Sequence, residues 1–115
     1  MNLLPIFLRL EHRRVLVVGA GTVALAKIES LRAAGASITV VAPAADHGVR
    51  DFAGSGALVW HERRFTPGDL DGIFLVIAAT NDSDVNRTVY EDALRHNILC
   101  NAVDDPPNCD FYFGS

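Results

Sequence analysis

The sequence predicts an α/β fold, a doubly wound parallel sheet with helices on both faces. Three observations carry this expectation. Val15-Leu16-Val17-Val18 is a short all-apolar run, a glycine-rich turn follows it directly, and apolar runs recur at intervals of about twenty residues.

The first run is mostly β-branched, as suits a strand buried on both faces. Thr22 to Ala34 reads as a helix with Val23, Ile28 and Leu31 on its buried side, Lys27, Glu29 and Arg32 facing water, and Gly35 as its C-terminal cap. Ile38 to Val41 is the second strand, ended by Pro43. Residues 44 to 53 form a short helix carrying Val49 and Phe52 inward, and Leu58-Val59-Trp60 is the third strand. Thr66-Pro67-Gly68-Asp69 is turn chemistry with one helical turn after it. Ile73 to Ala79 is the most hydrophobic segment and reads as the central strand. Asn86 to His96 is a helix with Val89 and Leu94 as buried contacts, and Ile98 to Val103 is the fifth strand. Trp60 and Phe74 are assigned to the core.

With right-handed crossovers this succession gives the spatial order 3-2-1-4-5. No repeat, low-complexity tract or linker interrupts it, so residues 1–115 read as one domain. Phe111-Tyr112-Phe113 resembles the start of another strand close to the last residue, which implies that a longer fold has been cut there.

Half of the 115 residues are hydrophobic and 21% are charged, a composition that builds a core and does not favour disorder. The net charge of −4 argues against nucleic acid as a partner. Its densest basic runs, His12-Arg13-Arg14 and His61-Glu62-Arg63-Arg64, are short and read as solvated charges beside strand ends. No apolar run approaches the roughly 20 residues that span a bilayer, and the first ten residues lack signal-peptide form. The expected location is cytoplasmic, without membrane contact, with Cys100 and Cys109 as reduced thiols. His12, His47, His61 and His96 are scattered without metal-ligand spacing, so no metal site is expected.

Gly19-Ala20-Gly21-Thr22-Val23-Ala24 is a G-x-G-x-x-A turn between strand and helix, the context that makes this motif a dinucleotide site of Rossmann type. Gly19 permits the turn, Gly21 lets the backbone approach a pyrophosphate, and Ala24 lets the helix pack close. The helix N-terminus then offers free N–H groups and partial positive charge to the phosphates. The simpler alternative is a tight turn with no ligand. Strand two ends in Val40-Val41-Ala42-Pro43 without the usual acid for the ribose hydroxyls. The nearest acid, Asp46, lies past the proline, no arginine stands at that strand end, and the balance favours NAD over NADP. Thr80 and Asn81, ending the fourth strand, can hydrogen-bond a ribose or nicotinamide, while Asn81, Asp82 or Ser83 can equally cap the next helix. Asp104 and Asp105 end the fifth strand at the same crevice. Either Asp104 is a general base or both acids are simply solvated in a turn before Pro106-Pro107.

Leu4-Pro5-Ile6-Phe7-Leu8, the run from Val15 to Ala24 with Lys27, Ala78-Ala79-Thr80-Asn81-Asp82 with Val85-Asn86, and Cys100 to Pro106 together resemble siroheme synthase. That family is the precorrin-2 dehydrogenase and sirohydrochlorin ferrochelatase module, and the resemblance runs from about residue 3 to the end. It implies NAD-dependent oxidation of precorrin-2 to sirohydrochlorin, with Fe²⁺ insertion in many members. It assigns the catalytic aspartate to Asp104 and NAD contacts to Thr22, Val23, Pro43 and Ala44. Backbone groups at Pro43 and Ala44 would then replace the missing acid. Family members continue into a dimerisation segment and a helical region, whereas this chain ends at Ser115, and Gly114 stands where the family pattern has proline. A homodimer and a tetrapyrrole site are implied for the intact protein. The substrate carries many carboxylates and this stretch is net acidic, so some cationic partners are expected outside it.

Two other classes pair a glycine turn with a parallel sheet. A nucleotide-sensing domain of a cation transport system and an S-adenosylmethionine-dependent methyltransferase both usually keep the acid at the end of strand two. Its absence here disfavours both.

Overall fold

Five parallel strands form one sheet in a computed structural model that describes residues 2–114. The strands are β1 (Arg14–Val18), β2 (Ser37–Val41), β3 (Val59–His61), β4 (Leu75–Ala78) and β5 (Leu99–Ala102). Their order across the sheet is β3-β2-β1-β4-β5, as the sequence predicts. The helices are α1 (Thr22–Ala33), α2 (His47–Gly54) and α3 (Ser83–Arg95), with short 3-10 turns at Pro67–Leu70 and Pro106–Asn108.

The apolar strand runs are explained by the two cores they serve. Val15, Val17, Leu75 and Ile77 face one side, where they meet Ala24, Ile28 and Leu31 of α1 and Val49 of α2. Leu16, Val18, Val76 and Ala78 face the other, against Leu70 and against Val89 and Ala93 of α3. Alternation along a strand sends neighbours to opposite faces, so a strand covered on both sides must be apolar throughout. Among the described residues no helix is long and apolar enough to cross a membrane.

Several expectations are corrected in detail. The stripe of α1 that enters the core is Ala24, Ile28 and Leu31, at spacings of four and three, whereas Val23 is 49% exposed. Val23 and Lys27 lie about one turn apart on the flank of that stripe, and Lys27 is half-buried rather than facing water. In α3 the buried residues are Asn86, Val89, Asp92 and Ala93, which leaves Leu94 58% exposed on the flank. That helix begins at Ser83 because Asp82 caps it, its Oδ1 accepting from the amides of Asp84 (2.9 Å) and Val85 (3.4 Å). Helix α2 begins later than expected for the same reason: Asp46 is its cap and accepts from the His47 amide at 2.7 Å.

Trp60 and Phe74 are only partly buried against the core, Trp60 donating from Nε1 to the Ala42 carbonyl at 3.0 Å. Phe111-Tyr112-Phe113 forms no strand among the described residues. The chain is instead tied along the open edge of β5 by a single antiparallel bridge, Asn101 to Cys109, with the Asp110 amide donating to Cys100 O at 2.7 Å, and by side chains. Cys100 N–H donates to Asp110 Oδ2 at 3.0 Å, and Asn101 Nδ2 donates to the Phe111 carbonyl at 2.9 Å. This covers an edge that would otherwise present unpaired backbone.

The basic runs are exposed as expected. Arg63 forks onto Asp69, donating from Nη1 to Oδ2 at 2.9 Å and from Nη2 to Oδ1, and Asp69 Oδ2 also accepts the Thr66 amide at 2.8 Å. The guanidinium holds the Asp69 carboxyl below its ordinary range. The stabilisation is therefore present above an unfolded aspartate's pKa of about 3.9 and is lost as pH falls through the lower folded value. Asp69→Asn should destabilise the protein by no more than about 1 kcal/mol at neutral pH, because solvent screens the exposed Arg63, and urea unfolding should find that difference vanishing in strong acid.

Candidate dinucleotide site

The site is built where β1, β2 and β4 end together and α1 begins. Gly19 adopts φ +110°, and a Cβ there would stand 2.5 Å from the Ala79 carbonyl oxygen. Both conditions require glycine. The Gly19 amide donates to Val41 O (3.0 Å) and the Ala79 amide to Val18 O (2.8 Å), which fixes the three strand ends at one level.

Gly21 is a different kind of glycine. It is the N-cap of α1 with φ −88°, and a Cβ on it would meet nothing within 4 Å. Neither backbone conformation nor packing demands glycine, so the space beside it fits a group that approaches the backbone from outside. The first helical bond is Leu25 N–H to Gly21 O at 2.9 Å, which leaves the amides of Thr22, Val23 and Ala24 without intrahelical acceptors. Bare glycine beside these amides has the donor chemistry that a pyrophosphate needs.

Six of the nine expected site residues line two cavities. One, of about 450 Å³, is lined by Gly19, Pro43, Thr80 and Asn81. Arg64, from the loop after β3, also lines it, supplying a cation that the end of strand two does not reveal. The other, of about 280 Å³, is lined by Val23 and Asp104 together with Lys27 and Asp105. Gly21, Thr22 and Ala44 line neither cavity.

Thr80 is largely occupied by the fold. Its Oγ1 donates to Asn86 Oδ1 at 2.6 Å, its amide donates to the same oxygen at 3.1 Å, and its carbonyl accepts from Asn86 Nδ2 at 3.0 Å. Asn86, 5% exposed, thus clamps the loop that carries Asn81. The sequence gives Asn86 as the start of a helix and as part of the family motif, without this clamping role. Asp46 was also passed over as lying beyond Pro43. Its amide donates to Ala20 O at 2.8 Å and its Oδ2 accepts from Thr22 Oγ1 at 3.4 Å, so α2 brings a carboxylate to the glycine turn.

Asp104 and Asp105 separate clearly. The Val103 amide still donates to Ala78 O of β4 (3.0 Å), and the Asp105 amide closes a turn onto Ala102 O (3.2 Å). Asp104 sits in that turn at φ +57°, a left-handed conformation that aspartate tolerates and bulkier residues resist. Its side chain is exposed and has no hydrogen-bond partner among the described residues. Asp105 Oδ2 instead accepts from Asn108 Nδ2 at 2.8 Å. Asp105 builds the turn and Asp104 is presented by it.

Both cysteines are free thiols. Burial pushes Cys100 up to about 12, with Asp110 adding to the effect. Burial also raises Cys109, whose Sγ donates to Ala102 O at 3.1 Å. Neither has the character of a thiolate nucleophile.

The two glycines should respond oppositely to alanine. Gly19→Ala should lose about 2–4 kcal/mol of folding stability in urea unfolding. Gly21→Ala should lose no more than about 1 kcal/mol yet weaken NAD⁺ at least about tenfold by calorimetry.

Comparison with known proteins agrees with this geometry. A family model described as putative NAD(P)-binding matches residues 6–115. The chain is 48% identical over 115 residues to Siroheme synthase 1 of Cronobacter sakazakii and 47% identical to that of Pectobacterium atrosepticum. In each case all of this chain is covered but 24% of the relative, so the chain spans about a quarter of their length. The solved structure of SirC, precorrin-2 dehydrogenase, superposes with a TM-score of 0.87 at 30% identity, covering 98% of this chain and 55% of that one. The resemblance to siroheme synthase and the expected cofactor, NAD, both stand with these findings. The chain belongs to the putative NAD(P)-binding family, as a domain similar to the N-terminal quarter of siroheme synthases.

Proposed function

We propose that this domain carries out the NAD-dependent dehydrogenation of precorrin-2 to sirohydrochlorin in siroheme biosynthesis. The observation that carries the reading is Asp104. A carboxylate without a hydrogen-bond partner among the described residues is held on a φ +57° turn at the wall of a cavity that also touches the first turn of α1.

The dinucleotide is assigned to the carboxyl edge of the sheet. Gly19 and Gly21 give its pyrophosphate access to the amides of Thr22 and Val23, while Pro43 and Ala44 hold the adenosine side and Thr80 and Asn81 border its path. The Thr80 side chain acts chiefly by fixing the loop through Asn86, so its contribution to the cofactor is steric. When bound, NAD⁺ supplies a hydride acceptor. The dehydrogenation removes a hydride and a proton from the tetrapyrrole, and a carboxylate oxygen of Asp104 takes that proton. Asp105, held by Asn108, keeps the turn in shape and stays out of the proton transfer.

On this reading the domain, residues 1–115, works in the cytoplasm as part of a longer homodimeric protein with further dimerisation and helical regions. It uses neither nucleic acid nor membrane. Fe²⁺ is a second substrate of that intact protein, and Asp104 accepts the pyrrole protons that metal insertion displaces.

The test is NADH formation from precorrin-2. Asp104→Ala and Asp104→Asn should each lower kcat by roughly a hundred- to ten-thousand-fold with NAD⁺ affinity retained. Turnover equal to wild type would remove Asp104 from the mechanism.

A further inference from the structure

We propose that Lys27 binds a carboxylate of the tetrapyrrole and so holds the substrate against Asp104. The inference rests on the precorrin-2 reading above and names a contact that supplies part of the substrate's affinity.

Lys27 is the one cationic side chain among the described residues lining the cavity that holds Asp104 and Asp105. It lies one turn beyond Val23 on the same flank of α1, the edge turned to that cavity rather than to the core. Its Nζ stands 4.2 Å from the centroid of the Phe113 ring. Among the described residues it forms no ion pair, although two carboxylates share its cavity. An aromatic face positions an ammonium without neutralising it, so the charge stays available to an incoming anion.

The electrostatics require such a group. A ligand with many carboxylates must enter a cavity whose wall already carries Asp104 and Asp105, on a chain of net charge −4. Like charges at a few ångströms repel strongly where water is scarce, and a single half-buried cation offsets that repulsion at the point where it is largest. The sequence places some such partners outside this stretch and gives Lys27 only as a solvent-facing helix residue. Its half-buried position over Phe113 reverses that assignment.

The decisive experiment is fluorescence titration with sirohydrochlorin, the many-carboxylate product, using wild type, Lys27→Met and Lys27→Arg. NAD⁺ affinity and thermal melting are measured on the same samples. Methionine keeps the apolar stem over Phe113 and removes the charge. It should weaken sirohydrochlorin about tenfold, with arginine recovering affinity to within about threefold. Wild-type affinity should fall more steeply with salt than that of Lys27→Met, while NAD⁺ affinity and melting stay the same for all three. Equal sirohydrochlorin affinity in wild type and Lys27→Met would overturn the Lys27 assignment and leave the precorrin-2 reading intact. Parallel loss of NAD⁺ affinity and melting temperature in Lys27→Met would also overturn it, in favour of a structural role. A wild-type protein that binds NAD⁺ but no sirohydrochlorin would overturn both.

Discussion

The approach of Gly19 to the Ala79 carbonyl governs the rest of this molecule. It brings the carboxyl ends of β1 and β4 so near that a single methyl group has no room, and φ +110° excludes other residues independently. With Gly19 bonded to Val41, the ends of β2, β1 and β4 are level. The chain can then turn upward at once into α1, whose Ala24 is fully buried against the sheet. Helix α1 therefore starts at the edge of the sheet, directly over the crevice. Everything functional follows from that starting point. Its first-turn amides have no intrahelical acceptors, its Val23–Lys27 flank borders one cavity, and the β4 loop carrying Thr80 and Asn81 borders the other.

The two glycines of the motif consequently act at different levels. Gly19 is a requirement of folding, met whether or not a ligand binds. Gly21 is free of steric demand and has meaning chiefly through what approaches it. A sequence motif joins them in one pattern, although steric demand explains only the first. The same division recurs at the end of β5, where Asp105 shapes the turn through Asn108 and Asp104 is displayed by it.

Strand identity and sheet order were legible in the sequence because strands buried on both faces leave uninterrupted apolar runs. Helix facing was less so. Val23 and Leu94 are apolar and were assigned inward, yet each lies beside the true stripe, which small or polar residues such as Ala24, Ala93 and Asn86 complete. Apolar character alone does not locate a helical face when alanine and a clamped asparagine occupy part of it. The strand expected at Phe111 to Phe113 is absent among the described residues: backbone pairing with β5 stops at one bridge, Asn101 to Cys109, beyond which the Asp110 and Asn101 side chains take up backbone groups that a ladder would use. Of the site, the glycine turn was readable from local context, whereas the residues alone leave Asp104 open between a general base and a solvated turn acid, and only the family resemblance singles it out. Asp46, Arg64 and Lys27 were not readable, because each reaches the crevice from an element whose packing decides its direction: α2, the loop after β3, and the flank of α1.

The chemistry assigned to the crevice thus depends on the turn holding a dinucleotide rather than another adenosine ligand. Calorimetric titration of the protein with NAD⁺, NADP⁺ and S-adenosylmethionine tests that dependence most directly. The account predicts binding of NAD⁺, weaker binding of NADP⁺ and none of S-adenosylmethionine. Tight binding of S-adenosylmethionine without binding of NAD⁺ would contradict it.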